Sequence, residues 1–198
     1  MRVIAGEFRS RRLKSLAGDA LRPTPDRLRE SLFNILAPRI DGCVFIDAYA
    51  GTGAVGIEAL SRGAARAIFI EKHPAAVRCI HENLEALGIE DRAQVIQASA
   101  ATMLSRYRDG IVFLDPPYPL AKEYDAALRA LGMAPAPSLL VIAQHHSKQA
   151  MAESQGALKR TRRVRQGDNT LSFYQAASSD ADAGDAADLE AEGPARNS

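Results

Sequence analysis

Ile111-Val112-Phe113-Leu114-Asp115-Pro116-Pro117-Tyr118 opens on four apolar residues and is cut short by two prolines. A brief unbroken apolar run rich in β-formers predicts a strand buried on both faces, as at the centre of a parallel sheet. The prolines end it, since neither can donate to a ladder. Asp115 is therefore expected at the carboxyl end of a central strand, where ligands bind in open α/β sheets.

Around Asp115 the backbone offers carbonyl acceptors with two N–H donors deleted, so the strand end is built to receive hydrogen bonds. Tyr118 adds a flat ring able to stack on a base. Such a cluster suits an exocyclic amino group on a nucleobase. The four residues Asp115-Pro116-Pro117-Tyr118 also resemble the signature of methyltransferases that modify amino groups of adenine or guanine. The plainer reading of the stretch is a strand that ends in a proline-rich turn.

The cofactor signal lies upstream. Cys43 to Asp47 reads as an apolar strand, followed by Ala48-Tyr49-Ala50-Gly51-Thr52-Gly53-Ala54-Val55-Gly56 and a helix to about Arg62. Gly51, Gly53 and Gly56 fit G-x-G-x-x-G, which lets a backbone turn sharply and approach a ligand. The next strand, Ala67 to Ile70, ends in Glu71, placed where an acid can hold ribose hydroxyls, with Lys72 beside it. A dinucleotide site shares these features, so NAD is the rival cofactor. Asp47 four residues before the first glycine, the absence of a pyridine-nucleotide substrate domain, and the role left for Asp115 to Tyr118 favour S-adenosylmethionine.

Charge is unevenly spread along the 198 residues, whose net charge is +1. Residues 176–198 hold six acids and one base, which leaves +6 on residues 1–175. A basic body fits a polyanionic partner. With 46% hydrophobic residues the chain can bury one good core. No apolar run is long enough for a bilayer and no signal-peptide pattern opens the chain, so a cytoplasmic protein away from membranes is expected. Two cysteines, Cys43 and Cys79, indicate neither a disulfide framework nor a zinc site.

Two short strands, Arg2 to Ala5 and Arg11 to Leu16, are expected to form a basic hairpin over residues 1–22. Arg9, Arg11, Arg12 and Arg22 make it a candidate phosphate-contacting arm, against the alternative of a merely solvated face. Arg22-Pro23-Thr24-Pro25-Asp26-Arg27 then opens a helix with Thr24 as N-cap, whose first N–H groups could hold a cofactor carboxylate. Leu28, Leu32, Ile35 and Leu36 share one face. Pro74 to Gly88 reads as an amphipathic helix with Val77, Ile80, Leu84 and Leu87 inward, and Gln94 to Gln97 as a strand ending near Ser99 and Ala100. A helix from Ala101 to Arg106, a helix from Lys122 to Leu131 and a buried strand from Ser138 to Gln144 follow.

His145 and His146 invite a metal reading, but adjacent strand residues point to opposite faces and no third ligand is suitably spaced. Leu158 to Gln166 and Thr170 to Gln175 are strand-like runs about the turn Gly167-Asp168-Asn169. The first is loaded with Lys159, Arg160, Arg162, Arg163 and Arg165, which could guard an edge or contact RNA. The tail beyond Gln175 is too polar to repay ordering and is expected to be disordered.

The order predicts an α/β fold: a doubly wound, Rossmann-like class I methyltransferase sheet over residues 23–175, middle strand order 3-2-1-4-5, with a terminal antiparallel hairpin and a small N-terminal β-hairpin extension. Met1-Arg2-Val3-Ile4-Ala5-Gly6, Leu21 to Glu30, Gly56 to Ala64, and Thr170-Leu171-Ser172-Phe173-Tyr174 look like blocks of the bacterial small-subunit ribosomal RNA guanine-N2 methyltransferase family. The chain departs from it at Tyr49, Ser99 and Asn169; at Ser99 relatives usually place an aspartate against adenine. The resemblance implies catalysis by Asp115, Pro116 and Tyr118. It implies a cofactor site of Thr24, Asp47, Ala50, Gly51, Gly53, Glu71, Lys72, Ser99 and Ala100. RNA would meet Arg9, Arg11, Arg12, Arg22, Arg27, Pro117 and Asn169. The implied setting is a monomer that methylates one guanine of 16S rRNA in the 30S subunit or its precursor, without metal. An adenine-N6 DNA methyltransferase and a non-catalytic RNA-binding assembly factor are the alternatives.

Overall fold

A computed structural model describes residues 1–16, 26–117 and 121–177. Its elements run α1 (Asp26–Ile40), β1 (Val44–Asp47), α2 (Ala54–Ser61), β2 (Arg66–Glu71), α3 (Pro74–Leu87), β3 (Ala93–Gln97), α4 (Ala100–Met103) and β4 (Ile111–Leu114). They continue through α5 (Ala121–Leu131), β5 (Leu140–His146), β6 (Ser154–Gln155), β7 (Leu158–Gln166) and β8 (Asn169–Ala176). One sheet takes all the strands in the order β3-β2-β1-β4-β5-β8-β7-β6. Strands β1 to β5 are parallel, whereas β8 runs antiparallel to β5, and β6 and β7 complete the edge.

Alternation along the central strands divides the core by face. Ile46, Val112, Leu114, Val141 and Ala143 pack under α4 and α5. Phe45, Ile111, Phe113, Leu140 and Ile142 pack under α1 with Leu28, Leu32, Phe33 and Leu36. All four residues of β4 are buried, as their unbroken apolar run requires. Because β4 lies between β1 and β5, chain direction reverses its lateral progress at the β1–β4 junction, and the carboxyl ends of both strands border one crevice. Among the described residues no helix is long and apolar enough to cross a membrane.

Several boundaries differ from expectation. The helix expected over Ala101–Arg106 divides into α4 and a 3₁₀ turn at Leu104–Arg106, a length too short for cooperative α-helix. The fifth strand begins at Leu140 because Ser138 is held in the preceding turn by its hydroxyl bond to Asp109. It continues to His146 because β8 pairs with it that far. The expected N-terminal hairpin is a short one: the Arg2–Arg12 bridge is flanked by bonds from Val3 N–H to the Arg11 carbonyl, Ser10 N–H to the Val3 carbonyl and Leu13 N–H to the Met1 carbonyl, and residues 17–25 lie outside the described residues. The tail expected to be disordered also falls outside them beyond residue 177.

Beyond this hairpin pairing, the backbone of the N-terminal segment is tied to α2. Ile4 and Ala5 donate their N–H groups to the two carboxylate oxygens of Glu58 at 2.8 and 3.0 Å. Phe8 N–H meets the Ser61 hydroxyl, which donates to the Ala5 carbonyl. Glu58 also accepts Arg62 Nε at 2.7 Å and lies 3.9 Å from Arg29 Nε, and neither Glu58 nor Arg29 has any exposed side chain. Arg29 in turn donates to the Arg2 carbonyl and to Asp26. Burial lowers the Arg29 pKa, while the carboxylates of Glu58 and Asp26 oppose that shift.

This network fastens three sequence-distant segments through one buried acid. Substituting Glu58→Ala should cost about 3–5 kcal/mol in urea unfolding, because it takes one of two carboxylates from a buried guanidinium and the acceptor from the Ile4 and Ala5 N–H groups. The double variant Glu58→Leu, Arg29→Met should recover only part of that loss, since it removes both buried charges but leaves the Ile4 and Ala5 N–H groups without their acceptor; equal destabilisation of single and double variants would contradict the account.

Candidate active site

The loop after β1 is held open by two carboxylates that bond to backbone rather than to one another. Asp47 Oδ2 accepts the Gly56 N–H at 3.0 Å, spanning the loop from strand end to helix. Glu71, at the end of β2, accepts the Gly51 N–H at 2.9 Å and the His73 N–H at 2.8 Å through separate oxygens. Asn83 of α3 adds a third tie by donating to the Thr52 carbonyl at 3.0 Å. Gly51 and Gly53 take φ of 55° and 80°, a region open to glycine. A Cβ on Gly56 would lie 2.3 Å from the Phe69 ring, so the third glycine permits α2 to rest against β2.

These contacts divide the predicted cofactor residues by task. Asp47 is 2% exposed and spends its carboxylate on the loop, which makes it a positioning residue. Glu71 is buried, with each oxygen retaining a further lone pair for an incoming hydroxyl. Ala50 is buried and donates to the Ile70 carbonyl, whereas Lys72 is exposed. Ser99 stands exposed after β3; its carbonyl accepts from Thr102, and its side chain makes no capping bond to α4. Ala100 is buried in the core beneath. A glycine cradle with an acid at the adjacent strand end fits the ribose and amino-acid portions of S-adenosylmethionine, and the uncapped Ser99 hydroxyl fits a polar adenine edge. Thr24, proposed for the cofactor carboxylate, lies outside the described residues.

Asp115 follows β4 and is close enough to raise the pKa of Asp47 electrostatically. Pro116 is buried and Pro117 exposed, while Tyr118 lies outside the described residues. Strand order thus brings together Asp47, Gly51 and Asp115, which are far apart in sequence. Asn169 begins β8 opposite His146, so the terminal hairpin turns back beside the same carboxyl end.

The basic residues are distributed less uniformly than their density suggests. Arg9, Arg12 and Arg27 are exposed and form no ion pair among the described residues. Arg11 instead donates to the Ala86 carbonyl at 2.8 Å, and Lys14 pairs with Glu82, so part of the arm serves to dock on α3. Arg22 lies outside the described residues. His145 engages Ser172 Oγ and the His146 carbonyl through its two ring nitrogens.

Asn83 and Glu58 carry no motif that would single them out. Of the face expected inward on α3, Ile80 and Leu84 are buried and Leu87 packs against the core, while Val77 is half-buried and Cys79 and Asn83 are buried in addition. The reason is the N-terminal segment, whose Lys14 N–H and carbonyl both bond to Asn83.

Burial, with Asp115 and Glu71 nearby, pushes the Asp47 carboxyl up to about 7 against the opposing Gly56 N–H bond. A folded-state pKa above the unfolded value stabilises the protein at acid pH and loses that contribution as pH rises through neutrality. Asp47→Asn keeps an acceptor for Gly56 without the charge. Its melting temperature should therefore gain on wild type as pH rises from about 5 to about 8. A pH-independent difference in thermal melts would refute the buried charge as the cause.

Residues 1–175 match the family described as "Conserved hypothetical protein 95". "Putative rRNA methyltransferase YlbH" of Bacillus subtilis is 35% identical over 88% of this chain and 98% of its own length. "Ribosomal RNA small subunit methyltransferase D" of Escherichia coli K12 is 42% identical over 60% of each chain, so that alignment spans less than two thirds of the relative. The solved structure "Putative methyltransferase yhhF from Escherichia coli" superposes with a TM-score of 0.78 at 31% identity, covering 90% of this chain and 98% of that one. The chain accordingly belongs to the "Conserved hypothetical protein 95" family and is a methyltransferase of the class I fold.

Proposed function

We propose that this methyltransferase modifies the exocyclic N2 amine of one guanine in 16S rRNA, presented by the 30S subunit or its precursor, and that it acts as a cytoplasmic monomer. The observation that carries the reading is the acceptor-rich end of β4, Asp115-Pro116-Pro117, set beside the glycine loop at the end of β1. The small-subunit rRNA methyltransferases among the relatives support the choice of RNA. The exposed Arg9, Arg12 and Arg27 supply positive charge for phosphate contacts.

A guanine amine is a poor nucleophile because its lone pair is delocalised into the ring. In the proposed mechanism the base leaves its stack, and Pro117 and Tyr118 provide the surface against which it rests. The Asp115 carboxylate and Pro116 carbonyl accept the two amine hydrogens, turning the nitrogen lone pair out of conjugation. Residues Ala50, Gly51, Gly53, Glu71, Lys72, Ser99 and Ala100, with Thr24, would hold S-adenosylmethionine. Its sulfonium would supply an electrophilic methyl group, the new N–C bond replacing the C–S bond and the thioether leaving. Asp115 stabilises the positive charge that develops on nitrogen and accepts the proton released from it. Orientation of the amine supplies much of the acceleration.

Labelled-methyl transfer to undermodified 30S particles, naked 16S RNA and duplex DNA, with nucleoside mass spectrometry, tests the substrate. N2-methylguanosine is expected in ribosomal RNA, whereas N6-methyladenine would replace this reading with the adenine one. Asp115→Ala should lower turnover by about 100-fold or more while S-adenosylhomocysteine affinity changes little. Comparable loss of both would remove Asp115 from the chemistry. Replacing Arg9 and Arg12 by Ala should weaken particle binding and reduce its salt slope by about one for each phosphate no longer neutralised; an unchanged slope would exclude both arginines from the RNA interface.

A further inference from the structure

Gln144 lies in β5 with only 6% exposure, and its Oε1 is buried without a hydrogen-bond partner among the described residues. Its backbone is fixed: Tyr124 donates its hydroxyl to the Gln144 carbonyl, and the residue pairs with Leu171 of β8. Leu114 pairs with Ala143, so Asp115 and Gln144 are the next residues at adjoining strand ends. Along β5, Gln144 shares the face of Leu140 and Ile142, the one covered by α1.

An amide oxygen buried without a donor costs about 1–3 kcal/mol, and an apolar side chain of similar length would avoid that cost. The position beside Asp115 supplies a reason for the amide: a donor arrives with the substrate. Resting on the guanine-N2 reading above, the relevant donor can be named. Guanine presents its N2 amine and its N1–H side by side on one edge, whereas adenine carries an acceptor at N1. Asp115 and Pro116 account for the amine, which leaves N1–H in need of an acceptor at the neighbouring strand end.

We infer that Gln144 is a base-recognition residue whose Oε1 accepts the N1–H of the target guanine, beside the amine held at Asp115. In this arrangement the two acceptors read adjacent donors. The contact orients the base by its N1–H edge.

The test compares wild type with Gln144→Met, Gln144→Glu and Thr170→Val on undermodified 30S particles. Gln144→Met preserves length but removes the strong acceptor. It should lower kcat/KM for particles by about 10- to 100-fold, leave S-adenosylhomocysteine affinity within about two-fold, and equal or exceed the wild-type melting temperature. Gln144→Glu, which retains an acceptor, should recover activity to within about five-fold of wild type. Thr170→Val deletes another buried polar atom without a partner among the described residues, on the face of β8 that His145 shares, and should leave activity unchanged.

Near-wild-type turnover by Gln144→Met, or no recovery in Gln144→Glu, would overturn the inference. A loss in Thr170→Val as large as that in Gln144→Met would also overturn it by assigning the effect to general packing. Failure of the underlying substrate reading is visible separately in the wild-type reaction, as an absence of N2-methylguanosine, and would overturn the inference with it.

Discussion

Two buried acids pin the two ends of the glycine loop by accepting backbone N–H groups. Asp47 takes the Gly56 N–H and Glu71 takes the Gly51 N–H, so the loop's entrance and exit are referred to adjacent strand ends. The arrangement is electrostatically unfavourable on its own, since Asp115 and Glu71 both oppose ionisation of Asp47. Backbone N–H bonds offset part of that cost. A class of ligand carrying a positive centre is well matched to the negative charge that remains.

Strand order makes this local solution useful. The β1–β4 adjacency places the loop beside Asp115, and the β4–β5 adjacency places Gln144 on its other side. Antiparallel return of β8 then adds Asn169 opposite His146. Neighbouring strand ends therefore bring residues far apart in sequence to one side of the sheet. The core faces beneath them are apolar and continuous, which holds the ends at fixed spacing.

Legibility in the sequence follows the range of the forces involved. Ile111–Leu114 and Leu158–Gln166 are readable to the residue because local composition and turn chemistry mark their ends. The parallel order is readable because alternating strands and helices leave few right-handed arrangements. The extension of β5 through His145 and His146 depends on β8, far away in sequence, and no local signal marks it. Likewise, Arg density identifies a positive arm but does not separate Arg9 and Arg12 from Arg11, which is turned onto α3. The glycine loop and Asp115 are legible as motifs. Asn83 and Gln144 acquire their significance only from neighbours supplied by the fold.

The Glu58 attachment also has a direction in time. Ile4 and Ala5 bond to a side chain more than fifty positions later, and Lys14 bonds to Asn83 later still. During synthesis, which proceeds from the amino end, the first residues emerge well before either docking partner exists. These long-range ties consequently cannot form until α2 and α3 have left the ribosome, whereas the bonds within residues 1–13 need nothing that follows them.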